Sequence, residues 1–254
     1  MRKTIKSPTP QLSILKEINI DLDMTGRHYA LLASCEGQLP EDVVLSILKD
    51  LVEEDANKLT LSELRYLFML VKINSLEEKY VISVECTHDK KGGGICGHKN
   101  KYEVFLSDAD LNPTPADYEV PTILFKTTDS EKEYKVLPPP VSMESQLYNY
   151  FLTVKNATPQ DIADSKELSF EFTFMRSLMH LVDNEGNRFV TENTGFDSLM
   201  SYLDCNKYQT ITHLCEKVLE VNRFGVQNKT YEIECEECGG SLIFQLPLLA
   251  GLVD

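Results

Sequence analysis

The hydrophobic positions in the first third of the chain follow mainly a helical period. Residues 12–22, LSILKEINIDL, contain a short alternation that predicts a strand, and residues 26–37 predict a short helix ending at Gly37. The stretch PEDVVLSILKDLVEED predicts an amphipathic helix, because Pro40 and two acidic residues suit a first turn and the apolar residues share one face. That apolar face consists of Val44, Ile47, Leu48 and Leu51.

The next helix signal is the sequence Thr60-Leu-Ser-Glu63, which has the form of a capping box. It opens the stretch LSELRYLFMLVKINS, whose apolar residues also recur at helical spacing. Because this helix is apolar on most sides, we expect it at the centre of the core. The residues that carry the spacing are Leu64, Leu67, Phe68 and Val71.

After this helix the period changes from helical to alternating. KYVISVEC and KNKYEVFL each predict a strand, and the loop between them contains three consecutive glycines, which excludes regular structure there. The two strands predict a hairpin over residues 80–106. VPTILFK and KEYKVL predict a further pair of strands.

Three prolines at 138–140 mark the best candidate boundary, and the pattern beyond them is mainly helical. Helices are predicted for MESQLYNYFLTV, FEFTFMRSLMHLV, FDSLMSYL and YQTITHLCEKVLEV, with a short one starting at Thr158-Pro-Gln-Asp161. Residues 229–246 return to alternation and predict a second hairpin. We therefore predict an α+β protein with an N-terminal arm (1–20), an α/β region (21–137) and a mainly helical region (141–254).

The two predicted hairpins share one sequence pattern. Each runs through a lysine, an aromatic residue and alternating apolar residues to Glu-Cys, and then through Cys-Gly into another strand. This is the form of a zinc knuckle, in which glycine lets the backbone turn beneath the metal. Structural zinc takes four ligands and each hairpin supplies two, so we predict one Zn²⁺ site that joins the C-terminus to the middle of the chain. Its ligands are Cys86, Cys96, Cys235 and Cys238.

Three other interpretations of these cysteines stay open at this point. The first hairpin alone offers four ligands, because His88 and His98 accompany Cys86 and Cys96. The cysteines are otherwise free thiols at ordinary turns, or a redox-active pair. Redox chemistry is disfavoured, because Cys235 and Cys238 lie between strands, and the glutamates around them would raise the thiol pKa.

Charge and composition narrow the function. The net charge of −15 disfavours nucleic acid and anionic membranes as partners, and no apolar run approaches the roughly 20 residues that span a bilayer. The N-terminus lacks the apolar core of a secretory signal, so we expect the protein to work in a cytoplasm. An odd number of cysteines, seven, argues against a disulfide framework. Cys35, Cys205 and Cys215 lie in or beside helical patterns and are interpreted as buried small apolar residues.

No group of residues in the sequence assembles into a catalytic mechanism, so we predict a protein that is not an enzyme and takes no small-molecule substrate. His180 and His213 lie on helical stretches rich in apolar residues, where a structural histidine is the better interpretation. Asp108 and Asp110 form an acidic pair that suits a solvated turn better than a cation site.

The order of the elements resembles that of T4-type bacteriophage baseplate hub proteins and their assembly chaperones. The resemblance rests on LSELRYLFMLVKINSLEEKYVISVEC, NKYEVFLSDADLNP, FKTTDSEKEYKVLPPPVSMES, FDSLMSYLDCNKYQTITHLCEKVLEV and the closing YEIECEECGGSLIFQLPLLAGLVD. It covers residues 21–254, whereas the DKKGGGI insertion and the final Val-Asp depart from the family pattern.

The resemblance implies a protein that contacts other baseplate hub and tail proteins in the host cytoplasm during assembly, and in the virion baseplate if it remains there. The cysteine hairpins alone suggest a different function, that of a zinc-containing cytoplasmic adaptor or regulatory protein unrelated to phage tails.

Overall fold

A computed structural model describes residues 2–34, 40–75, 79–89, 93–105, 111–128, 130–191, 193–226 and 230–245. The first half contains β1 (Arg2–Lys6), β2 (Glu17–Asp21), α1 (Gly26–Ala33), α2 (Pro40–Leu51), a 3-10 turn (Ala56–Lys58), α3 (Leu61–Ser75), β3 (Lys79–Glu85), β4 (Lys99–Phe105), β5 (Leu111–Asn112), β6 (Thr122–Lys126) and β7 (Glu131–Val136). The second half contains α4 (Val141–Thr153), α5 (Pro159–Asp164), α6 (Lys166–Met179), β8 (Leu181–Val182), a 3-10 helix (Phe196–Ser201), α7 (Tyr202–Cys205), α8 (Tyr208–Asn222), β9 (Gly225–Val226), β10 (Thr230–Glu234) and β11 (Ser241–Gln245).

The predicted α+β class is confirmed, and the strand pairs among the described residues are all antiparallel. They form the hairpins β1–β2, β3–β4 and β10–β11, the short ladder β5–β9 and the three-stranded sheet β6–β7–β8. The predicted helix FDSLMSYL is instead a 3-10 helix followed by the single turn of α7. The predicted end of the first helix at Gly37 lies outside the described residues.

The first of two large apolar cores is built by α1, α2 and α3 against β2. The predicted apolar faces of α2 and α3 are fully or almost fully buried in it. The predicted capping box is confirmed, because the Thr60 N–H donates to the Glu63 carboxylate at 2.9 Å and the Glu63 N–H donates to Thr60 Oγ1 at 3.3 Å. Glu63 is fully buried and also accepts the Ser13 hydroxyl, so the cap ties α3 to the N-terminal segment.

The second core is built by α4, α6 and α8 against the three-stranded sheet. β6 and β7, which precede the three prolines, pack into this core together with the helices that follow them. The two cores meet where the chain passes Pro140. The Val141 N–H donates to the Leu59 carbonyl at 2.7 Å, and the Val141 side chain lies in the first core.

The two cysteine hairpins begin at neighbouring places in the fold. β3 follows α3, while β5 and β9, which pair with each other, lie at the base of the two hairpins. Gly225, at the start of β9, has a positive φ of 94°, and a Cβ there would lie 2.5 Å from the Cβ of Ser62. Only glycine therefore lets β9 approach the first turn of α3 this closely.

Crossing a bilayer takes a long apolar helix, and the described residues form none.

Candidate metal centre

The turns of the hairpins β3–β4 and β10–β11 bring four cysteine sulfur atoms into one cluster. The Sγ atoms of Cys86 and Cys238 are 3.6 Å apart, those of Cys96 and Cys235 are 3.9 Å apart, and all four lie within 4.8 Å of one another. Among the described residues, this is the one group of three or more His, Cys, Asp and Glu side chains close enough to hold a metal ion. Cys86, Cys96 and Cys235 are buried and Cys238 is exposed.

The sulfur–sulfur distances agree with the geometry of a tetrahedral thiolate site. Zinc–sulfur bonds of about 2.3 Å in a tetrahedron place neighbouring sulfur atoms about 3.8 Å apart. The two distances across the hairpins, 3.6 and 3.9 Å, lie on either side of that value. Each close pair joins one hairpin to the other, so the four cysteines can bind a metal ion with little rearrangement.

The backbone at each turn points N–H groups at the sulfur atoms. The His88 N–H donates to Cys86 and the His98 N–H donates to Cys96. In the second hairpin the N–H groups of Glu237 and Cys238 donate to Cys235. Such bonds stabilise thiolates and fix the direction in which each sulfur faces a metal.

The glycine after the second cysteine of each turn has the left-handed conformation that this geometry requires. Gly97 has φ of 65° and Gly239 has φ of 70°, values that disfavour any residue with a Cβ. The Gly97 N–H donates to the Cys86 carbonyl at 2.9 Å and the Gly239 N–H donates to the Cys235 carbonyl at 2.8 Å. These bonds close both turns around their cysteines.

Burial and hydrogen bonding give the thiols of Cys86, Cys96 and Cys235 different pKa values. Burial raises the pKa of Cys86 to about 12. For Cys96 the His98 N–H lowers the pKa, but burial and the thiols of Cys238 and Cys235 outweigh it, so the pKa is raised. Burial also raises the pKa of Cys235, but its N–H donors and the Asn100 amide outweigh burial and bring the pKa to about 6. Of these three thiols Cys235 therefore ionises first, and a divalent cation bound here would supply charge that stabilises the thiolate forms of Cys86 and Cys96.

Asn100, on β4, is a buried residue of this centre that the sequence analysis missed. Its Oδ1 accepts the Glu236 N–H at 2.9 Å, and its Nδ2 lies 3.6 Å from the Sγ of Cys235. One side chain of the first hairpin thus orients both the backbone and a sulfur of the second. An asparagine between charged residues in KNKYEVFL carries no local signal for this role, because its partners lie more than a hundred residues away.

An aromatic cluster holds the two hairpins together away from the sulfur atoms. The ring of Tyr102 on β4 meets those of Tyr231 and Phe244 edge to face, with centroids 5.6 and 5.7 Å away. Tyr231 and Phe244 stack on each other across the second hairpin. The hairpins therefore pack through an apolar contact as well as through the cysteines.

The histidines of the alternative four-ligand set are not members of the sulfur cluster. His88 lies beside it, with Nδ1 3.5 Å from the Sγ of Cys86. The His88 ring also covers Gly240, where an added Cβ would lie 2.7 Å from Nδ1 of His88. His98 points to the carboxylate of Glu236, 3.8 Å from its Nε2. In this arrangement His88 and His98 contact the second hairpin.

The remaining candidate residues lie elsewhere. His180 is fully buried at the end of α6, where Nδ1 donates to the Arg176 carbonyl at 2.9 Å and Nε2 lies 3.3 Å from the Asn222 amide. His213 is exposed and its Nδ1 lies 3.5 Å from Glu216. Cys205 and Cys215 are half-buried, so the expectation that both are buried is wrong. Cys35, Asp108 and Asp110 lie outside the described residues.

The fold and the site define an α+β protein whose C-terminal hairpin is held to the middle of its chain at a four-cysteine centre. Residues 10–250 match the family model described as T4 bacteriophage base plate protein, so the chain belongs to that family. This confirms the resemblance to T4-type baseplate proteins. Comparisons with curated proteins and with solved structures give no significant match.

Proposed function

We propose that this protein helps to build the hub of a phage baseplate, as a structural component or as an assembly chaperone. The observation that carries the proposal is the family match, which extends over nearly the whole chain. The protein acts by contact with other baseplate and tail proteins and not by catalysis. Its place of action is the host cytoplasm during assembly, and a component, unlike a chaperone, stays in the virion baseplate.

The family match argues against the second function considered from the sequence, that of an adaptor or regulatory protein unrelated to phage. That function rested on the cysteine hairpins alone, and these are included in the matched residues. A gene neighbourhood without tail genes would favour the adaptor function, and one with tail genes would reject it.

The metal proposed for the centre is Zn²⁺, bound by Cys86, Cys96, Cys235 and Cys238. Support comes from the four sulfur atoms within 4.8 Å of one another and from the N–H groups directed at them. Four thiolates fill a structural zinc site, which leaves no open position for a substrate. The role of the ion is to fasten the C-terminal hairpin to the first hairpin, so that other baseplate proteins meet one fixed surface.

Gene deletion tests the assembly role directly. A phage that lacks this gene should form few infectious particles, and electron microscopy should show tails without normal baseplates. Supplying the wild-type chain from a plasmid should restore both. Normal infectious baseplates in the deletion phage would reject the proposal, and mass spectrometry of mature particles would separate component from chaperone.

Metal analysis of protein purified without chelator tests the centre. We expect about one zinc per chain, and loss of that zinc when Cys235 and Cys238 are both changed to serine. The matched control changes Cys205 and Cys215 to serine, which removes the same number of thiols away from the centre and should leave the zinc in place. Zinc that persists after loss of Cys235 and Cys238 would favour a site within the first hairpin, and protein without zinc would reject both sites.

A further inference from the structure

Among the described residues, no further strand pairs with the outer edge of the sheet β6–β7–β8. β6 is the outermost strand, and within the described residues its one strand partner is β7. The Val136 N–H donates to the Pro121 carbonyl, and the Thr127 N–H donates to the Ser130 carbonyl. Hydrogen-bonded positions alternate along an antiparallel pair, so the odd-numbered residues of β6 bond β7. The backbone groups of Thr122, Leu124 and Lys126 therefore point away from the sheet.

At one end of this edge, the side chain of Asn206 makes the hydrogen bonds that a neighbouring strand would make. The Lys126 N–H donates to Asn206 Oδ1 at 3.0 Å, and Asn206 Nδ2 donates to the Lys126 carbonyl at 2.8 Å. This pair of bonds, one accepted and one donated, is what a residue on a neighbouring antiparallel strand would make. Asn206 therefore ends the edge at Lys126, and within the described part of the chain the positions of Thr122 and Leu124 are left open.

The open positions border a groove that suits an extended chain. The groove has a volume of about 610 Å³ and lies between β6 and the first turns of α8, which contribute Gln209, Thr210 and His213. Leu124 is 60% exposed beside it. Exposed edges with an apolar residue invite pairing by another chain, and natural proteins usually block them.

We propose that β6 is a docking edge, where an extended segment of another baseplate protein adds as a fourth strand beside Thr122 and Leu124. Strand addition gets its affinity from main-chain hydrogen bonds and its specificity from alternating side chains. In the partner segment, the residue that lies opposite Leu124 is apolar. The residues on either side of it face Gln209 and His213 and are polar. The partner segment is neutral or basic, because this chain carries a net charge of −15, which also disfavours pairing with a second copy. This inference rests on the proposed baseplate function.

Photo-crosslinking in infected cells tests where the partner binds. The full chain carries benzoylphenylalanine in place of Leu124 or, as a control, in place of Leu152, an exposed leucine on α4. We expect the probe at position 124 to capture one baseplate protein, through a peptide with alternating apolar and polar residues. Capture of a second copy of this chain would overturn the proposal. So would capture of baseplate proteins from position 152 alone, which would leave the baseplate function standing.

Two substitutions at one position then separate the backbone from the side chain. Leu124→Ala and Leu124→Pro both remove the leucine side chain, but proline also removes the N–H that points away from β7. We expect Leu124→Pro to bind the captured, purified partner about tenfold more weakly than Leu124→Ala, since it lacks one main-chain hydrogen bond. Equal affinities would overturn the proposal. If Leu124→Pro does not fold, as judged by circular dichroism, the crosslinking result decides.

Discussion

Asn100 offers the sharpest test of how the centre is built. This buried side chain accepts the Glu236 N–H at 2.9 Å and places its amide 3.6 Å from the Sγ of Cys235. Asn100→Ala removes the acceptor of that backbone N–H and the polar partner of the sulfur in one step. The four cysteines stay in place, so the change acts on their support and not on their number.

The size of the effect follows from the bonds that are lost. Removing the partner of a buried polar group costs about 1–3 kcal/mol. That cost lowers the stability of the fold, and only the part that falls on the metal-bound state alone lowers the affinity for zinc. Loss of a group that orients a ligand lowers metal affinity by roughly 10–100-fold in other proteins, and we expect a fall of that size here.

Competition with a chelator of known zinc affinity measures the loss. The control Asn74→Ala removes another side-chain amide that donates to a carbonyl, that of Leu22, away from the centre, and it should not change zinc affinity. Cobalt substitution adds a readout of the ligand set, because thiolate-to-cobalt absorption should persist in Asn100→Ala at saturating metal. Wild-type zinc affinity in Asn100→Ala would refute the role assigned to this residue.

Three further predictions concern the backbone, a buried cap and pH. Gly239→Ala should lower the unfolding free energy of the metal-bound protein by about 1–2 kcal/mol in denaturant titration, since φ is 70° there, whereas Gly195→Ala, at φ of −70°, should change it little. Glu63→Ala should cost about 1–3 kcal/mol in the same assay, because the buried Thr60 N–H loses its acceptor, and an unchanged midpoint would contradict this. Burial lowers the pKa of His180 from 6.5 to about 4, so the unfolded chain takes up the proton first as pH falls. As the pH falls from about 6.5 to about 4, the free energy of unfolding should fall by about 3 kcal/mol more for wild type than for His180→Gln. Parallel curves of stability against pH for the two proteins would refute this.

Local patterns predicted those elements whose signals lie within a few neighbouring residues. The apolar face of α2, the capping box of α3 and the alternation in both cysteine hairpins all appear in the structure. Helix period and capping chemistry depend on neighbours three or four positions away, so a single sequence contains them. The 3-10 helix at Phe196–Ser201 shows the limit, because the apolar spacing alone did not separate it from an α-helix.

Apart from the two cysteine hairpins, pairings between distant segments carried no such signal. The ladder β5–β9 joins strands of two residues each, and its close approach to α3 depends on Gly225. The hydrogen bonds from Asn206 to the edge of β6 likewise join segments 80 residues apart in the chain. Neither the glycine nor the asparagine differs in its sequence surroundings from many that have no such role.

The sequence by itself determined the α+β class, the two hairpins and the four cysteines at their turns, because repeated motifs and local periodicity are written into neighbouring residues. Only the tertiary structure decided that Cys86 lies against Cys238 and Cys96 against Cys235, with Asn100 between the hairpins. The physical reason is that these distances depend on how the aromatic faces of two separate hairpins pack, and that packing is settled by the folded chain as a whole.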